Sequence, residues 1–167
     1  MWIQCIAGFV LLCSAQAELV SFPKLGIKIA KGFNITLFAD SNIAPDVYSM
    51  TLDSEGSVVI SSRGYIKRLI DEDGDGIAEK DLLLRQSSSG AMGMLYVDKR
   101  TLLTSEGGKF NRYIDQDGDG IFENGPELIG RFGGGEHGIH AIRKDTTGRI
   151  YLNGGTEAKL SGHEDLK

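Results

Sequence analysis

Short apolar runs, separated by turn residues, fill most of the chain after residue 32. The segment 33–38 alternates apolar and polar residues in a largely period-two pattern, which predicts a half-buried first strand. The runs 48–52 and 57–61 flank a connection from Asp53 to Gly56 with turn chemistry, which predicts a β-hairpin. Further apolar runs lie at 65–70 and 82–84. Since no long segment has helical periodicity, the pattern predicts an all-β chain.

The same order of runs recurs 44 residues later, because segment 64–71 aligns with segment 108–115. The recurring runs are 94–97, 101–104, 109–114 and 127–129. A third copy begins at His140, turns through residues 145–148 and continues to residue 153. Four short strands at a period near 44 residues are typical of a β-propeller blade. The alternative is a β-sandwich with two similar hairpins.

We therefore predict an incomplete β-propeller of about two and a half four-stranded blades over residues 44–167. The blades begin near residues 45, 91 and 138, and residues 18–43 form an N-terminal segment with the first strand. Closed propellers usually need about four to eight blades. The 167 residues are thus expected to be the N-terminal fragment of a longer protein.

Composition excludes several functions. The 23 glycines agree with many tight turns. The net charge of −5 argues against a nucleic-acid partner, because such affinity rests on clustered Lys and Arg. No motif for a phosphate-binding loop or a Ser or Cys nucleophile is present.

Residues 1–17 carry no charged side chain and end in a small-x-small pattern at Ala15 and Ala17, which predicts a cleaved signal peptide. A retained anchor and a buried N-terminal strand are the alternatives. Cleavage would remove Cys5 and Cys13, the only cysteines, so the mature chain could form no disulfide. We expect an exported protein, periplasmic, extracellular or associated with the cell envelope, with no transmembrane span beyond the signal segment.

Two acidic loops in register are the most specific feature of the sequence. Calcium takes six to eight oxygen ligands, and alternate carboxylates on a tightly turning loop deliver them inward. Gly76 and Gly120 allow the sharp turn, and the two isoleucines would donate main-chain carbonyls. The predicted calcium ligands are Asp71, Asp73, Asp75, Ile77 and Glu79 in the first loop and Asp115, Asp117, Asp119, Ile121 and Glu123 in the second.

These loops differ from EF-hands, because the twelfth position holds Leu82 in the first and Pro126 in the second instead of a bidentate Glu. Their flanks also read as strands. We interpret them as calcium loops that join two strands of a blade. The alternative is a pair of solvated Asp-Gly turns, although three close carboxylates repel one another unless a cation neutralises them.

A glycine-rich segment that contains His137 leads into the third repeat. Glycines permit close approach of a ligand to the backbone, and a histidine can act as a base near neutral pH. His137 and His140 are therefore candidate catalytic residues. The alternative is an inter-blade turn with a hydrogen-bonded histidine.

Several of these motifs together resemble the N-terminal part of the membrane-bound dehydrogenases of planctomycete-type bacteria. That family is similar to the glucose and sorbosone dehydrogenases, which are β-propellers that use pyrroloquinoline quinone and calcium. The resemblance covers roughly residues 30 to 155, and the acidic loops are its most specific part. Its motifs are the segments 32–37, 53–56, 135–140 and 145–151 together with the two acidic loops.

The resemblance implies oxidation of a small sugar or alcohol with quinone as cofactor and a cytochrome as electron acceptor. It implies that His137 abstracts the substrate's hydroxyl proton, with His140 competing for that role. Quinone-binding residues would come largely from later blades, so the fragment by itself is expected to be inactive. The alternative function is a non-catalytic, calcium-stabilised propeller for adhesion or for glycan or protein binding.

Overall fold

The computed structural model describes residues 18–133, 138–156 and 158–161. Within these ranges the chain forms strands and turns and no helix, which confirms the all-β prediction. The predicted signal peptide over residues 1–17 lies outside the described residues. None of the described segments is a helix long and apolar enough to cross a membrane.

Thirteen strands are present in the described ranges. They are β1 (Leu19–Phe22), β2 (Ile27–Ala30), β3 (Ser49–Leu52), β4 (Val58–Ser62), β5 (Tyr65–Ile70), β6 (Lys80–Arg85), β7 (Ala91–Tyr96), β8 (Thr101–Glu106), β9 (Lys109–Ile114), β10 (Glu127–Gly133), β11 (Ile139–Lys144), β12 (Ile150–Gly154) and β13 (Lys159–Ser161). Every apolar run predicted as a strand from residue 48 onward overlaps one of them.

The chain divides into two compact units, one ending at Leu37 and the other beginning at Phe38. In the first unit, β1 and β2 form an antiparallel hairpin. The strand predicted over residues 33–38 is not formed, because residues 33–40 have no ladder partner. The alternation there does not reflect burial, since Phe33 is 73% exposed. The first strand of the chain is β1 instead.

The second unit contains three antiparallel sheets. The first sheet has the order β3-β4-β5-β6, in which each strand pairs with the next in sequence. The second sheet repeats this meander as β7-β8-β9-β10, and β11 pairs with β12 in a two-stranded third sheet. The second sheet has a fifth strand, because β13 pairs with the outer edge of β10. The first two repeats therefore contribute four strands each, as predicted, and the fifth strand of the second sheet comes from the third repeat.

Among the described residues, two hydrophobic clusters lie between successive sheets, and a third packs the first sheet against residues 38–44. In strand β8, consecutive side chains point to opposite faces of the second sheet, so they enter different clusters. Leu102 belongs to a cluster shared with the first sheet, where Val59, Ile66 and Leu84 are fully buried. Leu103 belongs to a second cluster, shared with Ile142 of the third sheet. The second sheet is thus covered on both faces.

A glycine allows the second and third sheets to approach closely. A β-carbon built on Gly93 of β7 would lie only 1.7 Å from the carbonyl oxygen of His140 in β11. The Ser105 hydroxyl, on β8, donates a 2.9 Å hydrogen bond to the same oxygen. Gly93 and Ser105 therefore fix the backbone of His140 against the second sheet.

Candidate functional site

The first acidic loop connects β5 to β6 and turns its carboxylates towards one point. Asp71 accepts hydrogen bonds from the amides of Gly74 (2.7 Å) and Gly76 (2.9 Å), which folds the loop around this side chain. The positive φ angles of the two glycines, 77° and 85°, permit that turn. One carboxylate oxygen from each of Asp71, Asp73, Asp75 and Glu79 lies within 4.8 Å of the others.

The second loop connects β9 to β10 and repeats this geometry. Asp115 is 3% exposed and accepts hydrogen bonds from the amides of Gly118 (2.6 Å) and Gly120 (2.9 Å). The carboxylate oxygens of Asp115, Asp117 and Asp119 lie within 4.8 Å of one another. Among the described residues, Glu123 does not join this group, so the two loops differ at the ninth position.

Both groups pass a simple geometric test for calcium. Oxygens that bind one calcium ion at about 2.3–2.6 Å can lie no more than about 5 Å apart. The carboxylate oxygens of each loop meet this limit. The amides of Ile77 and Ile121 donate 2.8 Å hydrogen bonds to Asp75 and Asp119, which shapes the seventh position of each loop. Coordination by the two isoleucine carbonyls stays a prediction.

The loops differ in the cations around them. In the first loop, Lys80 pairs with Glu72, which lies outside the carboxylate group. In the second, Arg100 Nη1 donates a 3.0 Å hydrogen bond to the carbonyl oxygen of Gln116. A β-carbon on Gly118 would lie 2.6 Å from Arg100 Nη2, and one on Gly120 would lie 3.2 Å from Arg68 Nη1. The two arginine side chains pass close to the backbone of the second loop, whose glycines are required by their positive φ angles of 91°.

The eighth residue of each loop attaches the loop to a preceding segment of the second unit. The amide of Ala78 donates to the carbonyl oxygen of Phe38 (2.7 Å), and the amide of Phe122 donates to that of Leu84 (2.9 Å). Phe122 is 3% exposed and belongs to the cluster between the first and second sheets. Arg85 Nη1 donates to the carbonyl oxygen of Phe122 at 2.7 Å. The conformation of each loop is therefore linked to packing between neighbouring segments.

A cleft lies at the other end of the second sheet. Its volume is about 720 Å³, and its lining includes His140 and Lys109. Strand β9 starts with Lys109 at this cleft and ends at Ile114, next to the second acidic loop. Six residues at roughly 3.3 Å each place the loop about 20 Å from the cleft. The carboxylate groups and the candidate histidine thus occupy opposite ends of the strands.

The structure describes only one of the two candidate histidines. His137 lies outside the described residues. His140 lies on β11 and lines the cleft, with its carbonyl oxygen bonded to Ser105. The structure does not bring His140 together with either group of carboxylates.

Two buried polar networks were not foreseen from the sequence. Both oxygens of Glu106, which is 8% exposed, accept hydrogen bonds from hydroxyl groups, one from Ser87 and one from Tyr113. Burial and the adjacent Glu106 carboxylate raise the pKa of Tyr113. The only sequence signal was the aligned position of Tyr113 in the repeat, which marked a strand and not a hydrogen-bonding role.

The second network joins the hairpin turn of the first sheet to the second acidic loop. Asp53 Oδ2 lies 2.8 Å from Arg68 Nε, in ion-pair contact without good hydrogen-bond alignment. Arg68, Asp115 and Asp119 line a common pocket of about 210 Å³ with Asp53. Burial raises the pKa of the neighbouring Tyr96 from 10.0 to about 12, although the Arg68 guanidinium opposes the rise.

The chain was compared with protein families, curated proteins and solved structures. No protein family matches the chain, and neither a curated protein nor a solved structure is significantly similar to it. The fold and the site together define an all-β protein with two convergent carboxylate loops.

Proposed function

We propose that the chain is a calcium-binding β-propeller fragment of an exported protein similar to the quinone-dependent sugar and alcohol dehydrogenases. The observation that carries the calcium assignment is the convergence of four carboxylates in the first loop and three in the second. Such groups repel one another when ionised, and a divalent cation offsets this repulsion. Export rests on the signal-peptide pattern of residues 1–17.

The arrangement of the sheets supports the propeller. Strand β7, the first of the second sheet, packs against β3 of the first sheet and against β11 of the third. The first strands of successive meanders are thus neighbours, as the innermost strands of propeller blades are. A two-sheet sandwich has one buried face per sheet, whereas the second sheet here packs through both faces.

The position of the loops favours a structural role for calcium. They lie at the strand ends remote from the cleft, so an ion bound there would not touch a ligand in the cleft. Phe122 is the eighth residue of the second loop and is buried between two sheets. We infer that calcium holds the loop in the conformation that places Phe122 in this core.

The cleft supports the enzymatic part of the proposal. His140, on the first strand of the third sheet, lines this cleft, and the cleft is large enough for a small sugar or alcohol. His140 would accept the hydroxyl proton of the substrate, and a bound quinone would supply the oxidising chemistry. Dye-coupled oxidation of a broad sugar and alcohol panel, with quinone added to the longest natural form of the protein, tests this role. If no substrate in the panel is oxidised, the enzymatic role is contradicted.

The alternative, a non-catalytic propeller for adhesion or for glycan or protein binding, is favoured by the same separation of loops and cleft. Calcium in such a protein stabilises the fold without contacting the ligand. The two functions share the calcium assignment and differ in the oxidation assay.

Calcium binding is tested by thermal unfolding in calcium and in chelator. A ligand that binds only the folded state at about 100 times its dissociation constant contributes about 2.7 kcal/mol per site. We therefore expect calcium to raise the melting temperature and Asp73→Asn to reduce the increase. Asp98→Asn is the matched control, because Asp98 accepts a similar turn hydrogen bond from Arg100 (2.8 Å) outside both carboxylate groups. An unchanged melting temperature, with no heat of calcium binding by calorimetry, refutes the assignment.

A further inference from the structure

We propose that the cleft at the remote end of the second sheet binds a small organic anion with an apolar body. The cleft is lined by residues of the second and third sheets, by the residues next to their strands, and by Tyr48, which lies just before β3. Its volume of about 720 Å³ falls in the range of small-molecule sites, which are mostly apolar with a few placed polar groups. The proposal does not depend on calcium, because the acidic loops lie at the other end of the strands.

The walls of the cleft are apolar. Tyr48 precedes β3, Met92 lies on β7, Phe132 on β10 and Ile139 on β11. Tyr48 and Met92 are 42% and 43% exposed, which is high for large apolar side chains that face a concave surface. A ligand with an aromatic or aliphatic body would cover them and remove this apolar area from water.

Of the two oppositely charged side chains in the lining, the exposed Lys109 is more accessible to a ligand than the buried Glu106. Glu106 lines the cleft, but its two carboxylate oxygens already accept hydrogen bonds from the hydroxyls of Ser87 and Tyr113. Lys109 makes no ion pair with any residue that the structure describes. Its ammonium is therefore available to a carboxylate, sulfonate or phosphate group of the ligand.

Glycines form the part of the lining between these groups. A β-carbon on Gly90 would lie 2.8 Å from the Tyr48 ring, and one on Gly108 would lie 2.9 Å from the carbonyl oxygen of Phe132. Gly107 and Gly108 have φ angles of 56° and 72°, as the tight turn between β8 and β9 requires. Gly107 and Gly108 are exposed and Gly90 is buried, but all three line the cleft, so their amides are natural reporters of its occupancy.

Two fluorescent probes of similar shape and different charge test the proposal on the full, calcium-loaded chain. Anilinonaphthalene sulfonate carries the anionic group, and phenylnaphthylamine lacks it. We expect saturable binding of the anion at one site. Lys109→Met should weaken the anion's affinity about twofold to fivefold, as for a partly exposed ion pair, and leave the neutral probe unchanged. The control Lys99→Met removes an exposed lysine paired with Glu55 and should change neither.

Amide NMR locates the bound probe. We expect the sulfonate to shift the amide resonances of Gly90, Gly107 and Gly108 and to leave those of Gly74 and Gly118 in place. Calcium should do the reverse. Unshifted cleft glycines, or equal anion affinity in Lys109→Met and the unsubstituted chain, overturns the proposal. Failure of calcium to shift the loop glycines contradicts only the calcium assignment, so the two failures are distinguishable.

Discussion

Phe122→Ala removes the aromatic ring that joins the second acidic loop to the core between the first two sheets. The ring is 3% exposed, and its centroid lies 5.7 Å from that of Tyr113 and 6.5 Å from that of Tyr96. The backbone hydrogen bonds from Phe122 to Leu84 and from Arg85 to Phe122 do not involve the ring, so alanine keeps them. The expected loss is therefore the transfer and cavity free energy of a buried phenylalanine, about 3–5 kcal/mol.

That loss is large beside a total unfolding free energy of about 5–15 kcal/mol. It is measured by urea unfolding in calcium, followed by circular dichroism and by the fluorescence of the tyrosines around the ring. The matched control is Phe33→Ala, the same chemical change at a side chain that is 73% exposed, and it should cost less than about 0.5 kcal/mol. A cost below about 1 kcal/mol for Phe122→Ala, or equal costs for the two variants, would refute the assignment of Phe122 to the inter-sheet core.

Three further predictions concern the sheet contacts. Asp53→Ala should destabilise the chain by about 3 kcal/mol in urea unfolding, because it leaves Arg68 without its buried partner and removes the acceptor of the Glu55 and Ser57 amides. A loss as small as that for Asp40→Ala, in an exposed turn, would contradict it. Gly93→Ala should cost at least about 1–3 kcal/mol, because its β-carbon meets the backbone of His140 at 1.7 Å, whereas Gly125→Ala meets nothing within 4 Å and should be nearly neutral. Equal melting temperatures for the two glycine variants would show that the third sheet does not pack there. Folding raises the pKa of Tyr96 from 10.0 to about 12, so its contribution to stability is complete below pH 10 and is lost as the pH rises from 10 to 12. Spectrophotometric titration should therefore show a tyrosine that ionises late and is missing in Tyr96→Phe; an unchanged titration in that variant would argue against the burial of this hydroxyl.

The sequence by itself determined the local elements. Strands β5 and β9 begin and end where their apolar runs predict, because Gly64 and Gly108 mark their starts and the acidic loops follow their ends. The three aspartate carboxylates of each loop lie close together, since alternate residues of one tight turn are close in space whatever surrounds them. Glu123 departs from its counterpart Glu79 although the repeat aligns them.

The tertiary structure alone decided how these elements combine. Segment 33–38 has strand-like alternation but no ladder partner, and β13 pairs with β10 instead of extending the third sheet. Neither result is encoded within its own segment, because a ladder depends on which distant backbone is available for hydrogen bonding. Likewise, only the packing shows that the Phe122 ring lies in the core shared with the first sheet. Only the packing shows that the backbone of His140 lies against Gly93, next to a cleft remote from the acidic loops. Turns and strand periodicity depend on residues that are close in sequence, whereas contacts between sheet faces depend on residues far apart in the chain.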